Sequence, residues 1–234
     1  MSYTPIPKGT DPWDVQVNTA FADQDSRIDV NTNDIAAVVD VNNQQWNEIT
    51  INRDAIARVR VDGMMPSDYG LLSWVYDIAV AGAATAPVSG TIYMIKVYIN
   101  AGTVSALGVN VSTIGSGLVA GQSFLGLYSA TGSLLGVTAD QSVAFTTTGY
   151  KQPTLVTPVV VTSGYYYVAF VTNGATPPAF IRGSNFTAGA SLINLNLTPA
   201  DARFTTAGTG TTLPASITLA SRTTIITAFW AAVA

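Results

Sequence analysis

The chain offers few groups fit for acid–base or nucleophilic chemistry. Among its 234 residues there is no histidine and no cysteine. Without histidine there is no common general base, no usual partner for a serine nucleophile and no common metal ligand. Without cysteine there are neither thiolate ligands nor disulfides. Glycoside hydrolysis requires two carboxylates flanking the scissile bond. After residue 62 the only carboxylates are Asp68, Asp77, Asp140 and Asp201. Asp68 and Asp77 are near enough in sequence to meet, but nothing in their spacing demands it. Turn and strand-end aspartates are the simpler reading. A Ser–Lys pair would have to use Lys96 or Lys151. Lys96 falls inside an alternating apolar run and Lys151 beside a turn, so both read as solvated. The Gly-rich run 115–121 lacks the lysine of a phosphate-binding loop and reads as a plain loop. No carboxylate cluster has the spacing of a calcium loop. We therefore expect no catalytic residues, no metal ligands, no cofactor and no enzymatic activity.

The aromatic residues are the remaining candidates for ligand contact. Trp74, Tyr76, Tyr93, Tyr98, Tyr128, Tyr150 and Trp230 either supply core and subunit contacts or build a platform on which sugar rings stack. Tyr128, Tyr150 and Trp230 are the candidate glycan contacts. Three Asn-X-Ser/Thr triplets, at Asn110, Asn185 and Asn196, are chance matches in a chain this rich in Ser and Thr.

Composition says what must position these residues. Apolar residues make up 48% of the chain and charged residues only 10%. Surfaces usually carry roughly a quarter charged residues, so much of this surface is expected to be buried against other chains. A net charge of −4 gives no reason to expect nucleic acid as a partner. The charges are segregated: residues 1–62 hold ten acidic and five basic residues, and residues 63–234 hold four and five. A boundary is expected at Asp62-Gly63, with Pro66 as a breaker just beyond. Residues 1–11 read as an extended arm, 12–62 as a helical stalk and 63–234 as a β domain. The arm is polar and Pro-rich, unlike a signal peptide. Pro5, Pro7, Asp11, Pro12 and Trp13 are the residues expected to anchor it. The final ten residues are apolar but far short of the roughly 20 that cross a bilayer, so no membrane insertion is expected.

Asp11 can cap a helix and Pro12 suits its first position. From there to about Arg60 there is neither Gly nor Pro. Phe21, Ile28, Ile35, Asn42, Ile49 and Ile56 keep a seven-residue period. Gln24, Asn31, Val38, Gln45, Asn52 and Val59 form the companion row three residues on. This is a coiled-coil seam. Its Ile-rich first row and the absence of Leu from the second point away from a dimer, and the amides pin register, so a parallel homotrimer is expected. The alternative is an amphipathic helix packed on its own β domain. A break near Asn42-Asn43 would shorten the coil.

Beyond residue 70 the chain turns to Val, Ile, Thr, Tyr and Gly, with turn residues at short intervals. Strands are expected at 71–79, 91–99, 103–111, 122–129, 142–146, 154–161, 164–172, 179–182, 191–197, 216–221 and 225–231. The expected fold is mainly β: a jelly-roll-like antiparallel β-sandwich behind an N-terminal helical stalk. Gly132 should take a left-handed turn position. Tyr165-Tyr166-Tyr167-Val168-Ala169-Phe170, bulky on both faces, should be a central strand. Residues 183–215, the least regular stretch, read equally as binding loops or as packing arms.

Several phrases are similar to segments of accessory virion proteins of tailed phages, especially those infecting actinobacteria. They are Pro7-Lys-Gly-Thr-Asp-Pro-Trp-Asp-Val-Gln-Val-Asn18, Gly117-Leu-Val-Ala-Gly-Gln122, Leu127-Tyr-Ser-Ala-Thr-Gly-Ser-Leu-Leu135, Thr138-Ala-Asp-Gln-Ser142 and Gly164-Tyr-Tyr-Tyr-Val-Ala169. The resemblance implies a homotrimeric virion component, assembled in the host cytoplasm, whose N-terminus docks on other virion proteins. Its β domain would face outward, with host-surface glycan as a further partner. A minor tail or fibre position and a capsid-decoration position both fit. A glycan depolymerase is the least suited alternative, given the missing His and sparse carboxylates.

Overall fold

The computed structural model describes residues 12–62, 64–183 and 192–234. Pro5, Pro7, Asp11 and the Asn185 triplet lie outside the described residues, as do the side chains of Pro12, Trp13, Ile56 and Val59. The chain divides into two compact units between Asp62 and Gly63.

The first unit contains one helix, α1, Pro12–Asp62, 51 residues long and so about 77 Å in length. Proline opens it without loss, because an N–H at that position has no partner within the helix. The helix runs unbroken through Asn42-Asn43. Thr19, Thr32 and Thr50 each donate the hydroxyl to the carbonyl four residues back, which satisfies their polar groups inside the helix. Within α1 the seam residues Ile28, Ile35, Val38 and Ile49 are 54%, 65%, 61% and 54% exposed. Other apolar side chains, including Val30, Val41, Trp46 and Ile51, are exposed on the remaining faces.

The second unit is mainly β. Its strands are β1 (Ser73–Trp74), β2 (Ala83–Thr85), β3 (Thr91–Ile99), β4 (Gly102–Thr113), β5 (Ser116–Tyr128), β6 (Leu134–Val137), β7 (Gly149–Lys151), β8 (Thr154–Val161), β9 (Gly164–Thr176), β10 (Ala179–Arg182), β11 (Phe204–Thr209), β12 (Thr223–Thr224) and β13 (Ala232–Val233). One sheet runs β1-β13-β4-β10-β2, with β7 and β8 also paired to β4. The other runs β12-β11-β3-β9-β5-β6. The pairings nest. β5 pairs with β6, β4 with β8, β3 with β9 and β1 with β13, all antiparallel, and successive pairs alternate between the sheets.

Alternation of side chains along each strand builds the main core between the sheets. Val104, Leu107, Val109 and Val111 of β4 join Ile95, Val97 and Ile99 of β3 and Val168 and Phe170 of β9. Phe170 is the hub, with the rings of Tyr93, Phe180 and Phe229 each 5.1 Å away. The other face of β9 is buried too: Tyr167, Ala169 and Val171 pack with Met94 and Tyr128 beneath Leu213 and Ile217. Bulk on both faces of 165–170 requires such a two-sided burial. A third cluster, Leu71, Trp230 and Ala232 with Trp74 and Ile78 against it, covers part of the first sheet.

The covering segments depart from the strands expected of them. Residues 71–79 form only the two-residue β1 before a short helical turn, Ile78–Val80. Residues 142–146 and the described residues 192–197 of the strand expected at 191–197 contain short 3-10 turns instead of strands. Residues 216–221 lie down on the second sheet, with Ile217 N–H donating to the Gly132 carbonyl, and end in another such turn. The Gly-rich run 115–121 is not a loop. From Ser116 on it forms the first half of β5, where pairing with β9 shifts between Leu118 and Ser123 and Gly117 and Gly121 take positive φ.

Gly132 has φ +88°. A Cβ there would stand 2.1 Å from the Ile217 carbonyl oxygen, so both backbone and space require glycine.

Asp140 ties the end of β6 to β5. Burial pushes its carboxyl up. The Ser142 hydroxyl and the N–H groups of Gly121, Ser123 and Ser142 outweigh that, and the carboxyl titrates below its usual range. A depressed folded value stabilises above the unfolded value, and that stabilisation is lost as pH falls through the folded one. Asp140→Asn is therefore expected to melt below wild type at pH 7, and the gap should close below about pH 4. Melting curves of both proteins across pH 2–7 check this; a gap independent of pH would refute it.

Candidate functional site

Four carboxylates were available for chemistry in the β unit, and each accepts hydrogen bonds that fix the fold around it. Asp68 accepts from the Met65 N–H at 2.8 Å and Asp77 from the Ala79 N–H at 2.8 Å. Asp140 serves Ser123 and Ser142, and Asp201 accepts from the Thr198 hydroxyl at 2.7 Å. Asp68, Asp77 and Asp201 cap their own turns, and Asp140 links the end of β6 to β5.

Two concave regions carry the exposed aromatic residues, and Trp74 lines both. The first is a cleft of about 300 Å³. The short turn Pro66–Tyr69 supplies Tyr69, whose ring lies 5.5 Å from that of Trp74. On the opposite wall Tyr150 of β7 meets Trp230 edge to face at 6.0 Å. Gly108 of β4 makes room for Tyr150: a Cβ at residue 108 would come 2.4 Å from its hydroxyl oxygen. Trp230 is held from both ends. Its main-chain N–H donates to the Ile181 carbonyl and its indole N–H to the Tyr76 carbonyl at 3.0 Å, and the side chain is almost wholly buried. Burial raises the Tyr150 phenol above its ordinary value, keeping it a neutral donor. Asn110, paired with Tyr150 in the ladder, is the one amide on these walls.

The second region is a groove of about 490 Å³ at the corner where β1 meets β3. The Ser73 hydroxyl donates to the Tyr98 carbonyl and closes that corner. Tyr98 and Tyr165 are cross-strand partners of β3 and β9, with rings edge to face at 5.3 Å. Lys96 lies two residues before Tyr98 on the same strand face, with its Nζ 4.9 Å from the Tyr165 ring centroid. Arg203 is set beside Lys96 because the Lys96 main-chain N–H donates to the Arg203 carbonyl at 2.8 Å. Asn194 fixes that segment. Its buried amide accepts from the N–H groups of Arg203 and Phe204 and donates to the carbonyls of Phe204 and Ile225.

Of the expected glycan contacts, Tyr150 and Trp230 come together in the first cleft. Tyr128 does not. It is fully buried under Leu213 and Ile217, and its hydroxyl donates to the Pro214 carbonyl at 2.6 Å. Its cover comes from the end of the irregular stretch 183–215 and the start of the strand expected at 216–221. Trp74 and Tyr98 belong to the wider aromatic set and do line the concavities. Lys96 and Arg203 were missed as a pair. Their separation of more than a hundred residues carries no local signal; only the period-2 placement of Lys96 and Tyr98 on one strand face hints at the groove.

No helix among the described residues is long and apolar enough to cross a membrane. No protein-family model matches the chain, and no curated protein shows significant similarity to it.

Proposed function

We propose that this protein is a homotrimeric structural component of a tailed-phage virion, of the minor tail or fibre type. Its N-terminal region anchors it to the particle and its β unit contacts the host surface. The observation that carries this reading is the row of large apolar side chains at heptad spacing, Ile28, Ile35, Val38 and Ile49, exposed along α1. Burial of each Ile or Val is worth about 1.5–3 kcal/mol, and three copies of α1 around a common axis supply that burial. Asn31, Asn42, Gln45 and Asn52 then meet their equals and set the register. In the β unit, Val156 and Val160 of β8 are 71% and 82% exposed, as expected of a surface that lies against a neighbouring copy. The nested pairing of β1 with β13, β3 with β9, β4 with β8 and β5 with β6 supports a jelly-roll reading, the eight-stranded double Greek key. With every β-unit carboxylate accepting a structural hydrogen bond, a binding role fits better than hydrolysis.

Native mass is the first test. Three chains per particle supports the reading, and a monomer sinks it. Deleting residues 1–20 is expected to leave the trimer intact but abolish incorporation into virions. Wild-type incorporation by the truncated chain would refute the anchoring role. Electron microscopy of labelled particles separates the tail position from decoration of the capsid shell.

A further inference from the structure

We propose that the corner groove bounded by Trp74, Tyr98, Tyr165, Lys96 and Arg203 binds an anionic saccharide bearing carboxylate or phosphate groups. This deepens the host-contact reading and rests on it.

Charge is scarce in the β unit, so its placement is informative. Residues 63–234 carry five basic and four acidic residues, a net of +1, against five minus ten, or −5, for residues 1–62. The acidity of the chain therefore belongs to the segment that contains α1, and the β unit does not repel anions. Two of its five cations are buried: Arg182 donates to the Gly183 carbonyl, and Arg222 to Leu219, Pro199 and Ala200. Lys151 is taken up by its own turn, through the Thr147 hydroxyl and the Thr148 carbonyl. Lys96 and Arg203 line the corner groove together, and Arg203 also borders a smaller concavity beside Tyr76 and Phe204.

Their hydrogen bonds go to main-chain carbonyls. Lys96 donates to Asp201 at 3.1 Å, and Arg203 reaches Val75 at 3.4 Å. A carbonyl satisfies a donor without neutralising its charge. Asp201 also lines the groove, but one of its carboxylate oxygens accepts from Thr198, and the groove keeps an excess of one positive charge. An incoming anion would find two cations with donors to spare, and charge-assisted bonds are the stronger kind.

The aromatic residues add the saccharide half of the reading. Tyr98 and Tyr165 are 49% and 56% exposed, and their edge-to-face pairing presents one ring face and one ring edge. Ring faces suit the C–H side of a pyranose, and their hydroxyls suit its polar edge. A volume near 490 Å³ lies within the roughly 300–1,000 Å³ of small-ligand clefts.

The test uses the full chain and three probes in calorimetric titration: an oligogalacturonate, a phosphodiester-linked glycerol–glucose oligomer and a neutral maltooligosaccharide. At least one charged probe is expected to bind about tenfold or more above the neutral one, with affinity falling as salt rises. Which charged probe binds tells carboxylate from phosphate. Lys96→Gln and Arg203→Gln are each expected to remove most of that preference, and Tyr165→Ala to weaken every probe. Melting temperature and native mass, measured alongside, should stay at wild-type values for Lys96→Gln. Equal binding of neutral and charged probes, no binding of either charged probe, or wild-type binding by Lys96→Gln would overturn the proposal. So would a change of native mass, which would make the groove a contact between copies. Adsorption of labelled protein to actinobacterial cell walls separates the two levels. Adsorption that survives both Gln variants removes the groove and keeps the host-contact reading; no adsorption by wild type removes that reading.

Discussion

Replacing Ile28, Ile35 and Ile49 together with Asn is expected to dissociate the protein into monomers and to melt α1, while the β unit stays folded. The three side chains account for roughly 5–9 kcal/mol of burial per chain in a trimer, at about 1.5–3 kcal/mol each. Little else supports the helix. Its sequence is rich in Val, Ile, Thr, Asn and Asp, residues of modest helix propensity, and most helical stability in proteins comes from packing an apolar face. The β unit has its own interior, centred on Phe170 and Leu107 between the sheets and on Tyr167 and Tyr128 outside them. Circular dichroism at 222 nm should therefore lose most of its helical signal, light scattering should report one chain, and the near-ultraviolet signal of the buried tyrosines should persist. If the triple variant keeps its helix and its mass, the seam is not what holds the copies together.

Strands were legible where apolar alternation coincides with ladder pairing. Thr91–Ile99, Thr154–Val161 and Ala179–Arg182 occupy the expected bounds, because β-branched and aromatic runs there end at turn residues. The segments that lie over the outer sheet faces were not legible. Ile78, Ile217 and Leu219 are apolar because they cover a sheet, yet Ile78 and Leu219 lie in 3-10 turns and Ile217 in irregular backbone. Apolar pattern reports burial, and burial does not specify backbone conformation. The opposite error occurs at 115–121, where glycines suggest a loop but serve a strand that must shift register. Continuity of α1 through Asn42-Asn43 was equally undecided in sequence, since an amide suits a seam and a break alike. The concavities needed the fold itself. Tyr150 meets Trp230, and Lys96 meets Arg203, only because β7 and β13 both pair with β4 and because β11 lies along β3.

Arg222→Ala is expected to destabilise the β unit by about 3–5 kcal/mol, a large share of the roughly 5–15 kcal/mol that holds a domain together. Arg222 is buried with its guanidinium 4.3 Å from the Tyr167 ring centroid. It donates to the carbonyls of Pro199 at 2.7 Å, Ala200 at 2.9 Å and Leu219 at 3.1 Å. No local pattern marks it, because apart from the nearby Leu219 its partners, Pro199, Ala200 and Tyr167, are more than twenty residues away. Truncation would leave those carbonyls short of donors and open a cavity beside Met94 and Tyr167. Arg222→Met separates the two costs: it refills most of the volume but restores no donor, so about half of the loss should remain. The loop it holds, Pro199–Ala200, leads into Asp201, whose carbonyl receives Lys96. Arg222→Met should therefore also weaken anion binding in the corner groove, although Arg222 does not line it. Urea unfolding of the three proteins measures the stability terms. A loss below about 1 kcal/mol for Arg222→Ala would mean that water can replace the guanidinium, and that the segments at Pro199–Ala200 and Leu219 are held by Leu213, Ile217 and the ladder of β11 alone.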